Sequence, residues 1–225
     1  ERTGPFRWPR RPQVLHREWR SNPELDFLDA EHDAFCNLSD PVVHRRRVLF
    51  IKPRYWMVID DLVGAARHKI DLLFQFAPMR VTLGPRGWTR ARAQSGAVLW
   101  IGSFGSTNLE PVLRSGDREP TCGWIAPDYG QREPAPALVL TATAFLPHRI
   151  LTLMIPDPYP SSTPPQLNTL FDADGLPVGV TVRRRVYGHR SRLRAAGHRR
   201  VPDRRRRGRG RSGFGHGRRA RVSLH

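Results

Sequence analysis

Lysine is almost absent from this chain. Lys52 and Lys69 are the only two in 225 residues, so arginine carries nearly all of the 38 basic groups. Cysteine is as scarce, with Cys36 and Cys122 alone. Two cysteines give neither a disulfide framework nor a metal-ligand spacing. They are read as ordinary free thiols, or as one bridge if the compartment is oxidising. No run of 18 apolar residues occurs, which excludes a hydrophobic helical span. Also missing are a phosphate-cradling glycine loop, a nucleophile elbow and a zinc-type Cys/His spacing. The opening "ERTGPFRWPRRP" holds no apolar signal region and no initiator methionine; it reads as a chain entered in mid-protein.

What is abundant is positive charge, and it is unevenly placed. The formal net charge is +18, yet residues 183–225 hold 17 Arg against a single acidic residue, Asp203. Residues 1–182 keep 21 basic and 19 acidic side chains, the balance of an ordinary folded domain. The segment 183–225 scatters its few large apolar residues without period, so it cannot bury enough surface to offset the entropy of ordering. A disordered Arg-rich tail is expected there. Three origins compete for it: a polyanion-binding arm, a solvated charged tail, or a GC-rich gene read out of frame. Nucleic-acid binding is therefore expected only non-specifically, through the tail.

The body, 1–182, reads as β. "HKIDLLFQF" puts His68, Ile70, Leu72, Phe74 and Phe76 on one face, at period two. "RVLFIK" and "YWMVIDDL" flank a short connector at Pro53 and Arg54, a hairpin signal. Both runs are apolar on two faces, as in strands held between layers. "GAVLWIGSF", "ALVLTATAFL" and "RILTLMI" continue the pattern, the last two joined by a turn at Pro147 and His148. Gly- and Pro-rich connectors separate these runs, and none has helical periodicity. An all-β, antiparallel β-sandwich is the expected fold.

Three histidines border these strands. His32, between Glu31 and Asp33, has the neighbours of a general base oriented by a carboxylate; the plainer reading is a loop histidine bonded to backbone. His44 precedes Arg45, Arg46 and Arg47, a cluster able to hold a carboxylate or sulfate, because guanidinium forks match planar anions. Its plainer reading is a strand edge ion-paired to Asp60 or Asp61. His68 reads as a half-buried structural histidine. Among the aromatics, Trp56 and Trp100 fall within β runs and are expected in the core. Trp8 and Trp19 lie outside clear strands and are candidates for stacking on sugar rings.

The order of segments adds a resemblance. "PFRW", "DFLDAEHDAF", "DPVVHRRRVLFIKPRYWMVIDDL", "HKIDLLFQFAP", "GWIAPDYGQREPAPALVL" and "LPHRILTLMIPDP" together resemble the C-terminal part of the heparinase II/III-like family, over roughly residues 5–182. The resemblance implies a bacterial polysaccharide lyase with an α/α toroid followed by a β-sandwich. Its substrate would be an acidic, uronate-containing polysaccharide, a glycosaminoglycan or an alginate-like polymer, cleaved by β-elimination. A Tyr or His base would remove the C5 proton while the carboxylate is neutralised, which stabilises the enolate-like transition state. A periplasmic or secreted location is implied too. The family's catalytic Tyr, Asn and His, and the ligands of its divalent metal (zinc or calcium), would all lie upstream of residue 1. No catalytic or metal-binding role is therefore carried onto this chain. His32, His44, Arg45, Arg46 and Trp8 remain as substrate-contact candidates, and the chain alone is expected to be inactive. The alternative expectation is a non-catalytic sandwich that binds acidic polysaccharide or other polyanions.

Overall fold

The computed structural model describes residues 11–157, 163–186, 189–196 and 221–224. In chain order the first strands are β1 (Val14–Ser21), β2 (Leu25–Phe35), β3 (Val42–Ile51), β4 (Tyr55–Val63) and β5 (Arg67–Gln75). Next come β6 (Arg80–Leu83), β7 (Trp88–Arg92), β8 (Val98–Gly105) and β9 (Glu110–Arg114). Four two-residue strands follow: β10 (Asp117–Arg118), β11 (Thr121–Cys122), β12 (Trp124–Ile125) and β13 (Glu133–Pro134). The series ends with β14 (Ala137–Phe145), β15 (His148–Asp157), β16 (Gln166–Phe171), β17 (Pro177–Val186), β18 (His189–Ala196) and β19 (Arg221–Leu224). The described residues include no helix.

The largest sheet has eight strands in the order β1-β2-β3-β4-β15-β8-β7-β6, every neighbouring pair antiparallel. A second sheet sets β14 between β9 and β5, with β19 added in parallel at the outer edge of β5. A third is the meander β16-β17-β18.

The eight-stranded sheet has a core on each face. On the first, Leu62, Ile101 and Ile150 pack with Ile70, Leu72, Leu138 and Leu140 of the second sheet. On the other, Met57, Ile59, Leu151 and Leu153 pack with Val180 and Val182 of the third. This explains why β4 and β15 are apolar at successive positions: side chains of a strand alternate between faces, and both faces are covered. Gly102 is tightly packed on the second face. A Cβ there would come within 2.8 Å of both Trp88 and Phe104 rings, so even alanine would force them apart.

The antiparallel sandwich read from the sequence is the fold found. Several details differ. His148 belongs to a strand, and the turn before it is Leu146–Pro147. His32 and Trp19 also lie in strands, on β2 and β1. β1 is an edge strand exposed on both faces, so its sequence carries no alternation to read. In β2 the places expected of apolar residues are held by Asp29 and Glu31, which the next strands neutralise. Cys36 and Cys122 are free thiols. Much of the expected tail, including 197–220, falls outside the described residues, as does Trp8.

Candidate functional site

The run His44-Arg45-Arg46-Arg47 lies in the eight-stranded sheet, on β3 between β2 and β4. Alternation splits it. His44 and Arg46 point to the first face, while Arg45 and Arg47 point to the second. The cluster expected to act together is thus two clusters, on opposite sides of the sheet.

On the first face, His32, His44 and Asp60 form a directed chain. The Ala34 N–H donates to His32 Nδ1 at 3.2 Å. The remaining ring proton of neutral His32 therefore sits on Nε2, which lies 2.9 Å from His44 Nδ1. His44 in turn donates from Nε2 to Asp60 Oδ1 at 2.7 Å. Arg46 closes the group, donating to both Asp60 oxygens at 2.7 and 3.2 Å. Asp60 is 0% exposed. Burial alone would raise its pKa, but the bonds from His44 and Arg46 outweigh that and hold the carboxyl below its ordinary range. His32 is pushed the opposite way for a base: burial first, then the nearby positive charge of Arg46, lower its pKa and keep it neutral.

The second face carries a ladder of ion pairs. Arg17 donates to Glu31 at 3.0 and 2.5 Å. Arg45 makes a two-pronged bond to Asp29, one arm of it 2.7 Å. Arg47 and Arg149 both bond Asp61. Burial would raise the Asp29 pKa, but Arg45 wins and lowers it. Arg45 is raised reciprocally by the same bond.

Two further histidines are buried. His68 bonds Asp40 at 2.5 Å, in keeping with a structural role. His148 sits in the same cross-strand row as Leu62 and His44. Its Nδ1 meets Ser106 Oγ at 3.2 Å, and burial lowers its pKa. Sequence reading passed over His148, Asp29 and Arg149, because their partners lie far away in sequence. Trp19 is 56% exposed on β1, while Trp56 stacks on Phe50 with ring centroids 4.3 Å apart. Trp100 and Trp88 are in the second core.

The arrangement suits structure better than proton transfer. Among the described residues, no three His, Cys, Asp or Glu side chains converge on a point that could hold a metal ion. His44 uses both ring nitrogens along a line, which leaves none for a ligand bond. The described residues thus do not fit the divalent ion that the family resemblance implies.

The histidines set the response to pH. Because His32 and His148 have lowered pKa values in the fold, the unfolded chain binds protons first, near its ordinary value of about 6.5. Their contribution is complete above that value and is lost as pH falls below it. Asp26, Asp29 and Asp60 are also lowered, so a second loss begins only below about 4. Unfolding temperature measured from pH 8 to 3 should decline in these two stages. A flat profile between 7 and 5 would contradict the histidine part.

Comparison with known proteins places this architecture. No curated protein sequence matches the chain. Among solved structures, a heparan sulfate lyase, HepC, from Pedobacter heparinus superposes with a TM-score of 0.64 at 17% identity, over 84% of this chain and 29% of the lyase. A heparinase III superposes with a TM-score of 0.61 at 15% identity, over 81% of this chain and 27% of its own. The chain thus spans under a third of either lyase, and at this identity the likeness is one of fold. The model of the family described as heparinase II/III-like, C-terminal, matches residues 1–170. With three quarters of its length matched and the sandwich in common, the chain belongs to the heparinase II/III-like family, whose C-terminal region it carries.

Proposed function

We propose that this chain is the β-sandwich portion of a polysaccharide lyase acting on acidic, uronate-containing polysaccharide by β-elimination, and that by itself it has no lyase activity. The observation that carries the second half is the saturation of its candidate groups. His44 is held between His32 and Asp60, Arg46 is bonded to Asp60, and Arg45 to Asp29. A base must reach the proton it removes, and a cation must be free to neutralise the substrate carboxylate; these side chains are committed to one another. The first half is supported by the family match and by the kinship of fold with lyases. Membership also favours a periplasmic or secreted location. Incubating the purified chain with heparan sulfate, and separately with alginate, should give no rise in ultraviolet absorbance from unsaturated uronates. A sustained rise on either polymer would refute the proposed inactivity.

A second reading, a non-catalytic acidic-polysaccharide binder, is favoured by the exposed indole of Trp19 beside the charged strands. Retention on an immobilised acidic polysaccharide, but not on DNA at the same salt, would favour it. Equal retention on both would point to the 17 arginines of residues 183–225 acting as a non-specific polycation.

A further inference from the structure

The ion-pair ladder on the second face holds one more cation than it has anions. Arg17 is matched by Glu31 and Arg45 by Asp29, but Arg47 and Arg149 share the single carboxylate of Asp61. Cross-strand register places Arg45, Asp61 and Arg149 in one row over β3, β4 and β15, with Arg47 in the next row beside Asp29. Arg47 is 8% exposed, and its Nε has no hydrogen-bond partner among the described residues. Arg149 has only a long second contact, to the Pro177 carbonyl at 3.4 Å. A surplus positive charge this far from water is costly unless an anion accompanies it, and a buried donor without an acceptor adds to that cost.

We propose that Arg47 and Arg149 around Asp61 form an oxyanion site, taking a sulfate or carboxylate group. The buried Nε of Arg47 supplies the uncommitted donor. The part-exposed guanidinium of Arg149 forms its rim, with its side chain 21% exposed. Guanidinium donors match an oxyanion because their N–H groups lie in one plane at the spacing of two oxygens. The occupant is a free inorganic anion or the sulfate or uronate of a polysaccharide; the site stands whether or not the chain is part of a lyase.

The test uses the full chain and thermal unfolding in sodium sulfate against sodium chloride at equal ionic strength. Sulfate should raise the unfolding temperature along a saturating curve. In Arg149→Gln the tail is intact but the saturating component should disappear. Arg149→Lys keeps a charge but loses the fork, and should weaken sulfate by roughly tenfold, the worth of one charge-assisted hydrogen bond. Asp61→Asn removes the shared carboxylate, so it should unfold at lower temperature and gain more from sulfate than the parent does. A sulfated disaccharide acting at lower concentration than inorganic sulfate would identify a polysaccharide substituent as the occupant; equal potency would identify a free anion. An undiminished sulfate response in both Arg149 variants would overturn the site, because the ion would then be acting through the tail or by exclusion from the surface.

Discussion

Replacing Asp60 with alanine should destabilise the protein by about 3–5 kcal/mol, the cost typical of removing one partner from a buried ion pair. Asp60 has no exposed surface and receives bonds from both His44 and Arg46. Without it, the Arg46 guanidinium loses the carboxylate it bonds twice, and His44 loses the acceptor that fixes its ring. His32, next in the chain, loses its reason to point its Nε2 proton inward. Glu31→Ala is the control. Its partner Arg17 has a side chain 40% exposed, so solvent screens the pair and the change should cost no more than about 1 kcal/mol. Chemical denaturation of both variants measures the difference. Similar small losses would mean that the His32–His44–Asp60–Arg46 group does not hold the sheet.

The second large effect is expected at Leu153→Ala, about 2–5 kcal/mol through lost burial and the cavity left behind. Leu153 is fully buried on the second face of the eight-stranded sheet, in the core that includes Val180 and Val182 of β17. In a two-layer sandwich that face would be wet, and shortening the side chain would cost little. The equilibrium stability of Leu153→Ala therefore tests whether β16–β18 form a third layer. A loss below about 1 kcal/mol, the scale of an ordinary surface substitution, would contradict it.

The sequence was legible where strands are covered and obscure where charge replaces apolar residues. β4, β8, β14 and β15 could be read because Met57 and Ile59, Val98 and Trp100, Leu138 and Leu140, and Leu151 and Leu153 each repeat at the period of a pleated strand. Double-faced apolar runs even pointed to strands held between layers. β1 and β2 were opaque. An exposed edge strand has no inside to mark, and β2 satisfies its acidic positions with arginines 14 and 16 residues away in sequence. The run His44 to Arg47 was recognised as a cluster, with Asp60 and Asp61 as possible partners, and both are partners. Its division between two faces could not be seen without knowing that the run lies within a strand. His32 was misplaced in a loop for the same reason. Arg149, which turns a balanced ladder into a surplus of charge, comes from β15, 88 residues after Asp61 in sequence, beyond any local pattern.

The conspicuous histidines of this domain are fixed parts of its framework, not a waiting acid–base pair. Nitrogen NMR of the imidazole rings at neutral pH tests this most directly, since it distinguishes Nδ1–H, Nε2–H and doubly protonated rings. His32 should be a neutral Nε2–H tautomer, its pKa held below the ordinary histidine value, and His44 should carry a proton on Nε2 toward Asp60. If His44 were found as the Nδ1–H tautomer, with Nε2 free of Asp60, the network would be open and the ring available for chemistry.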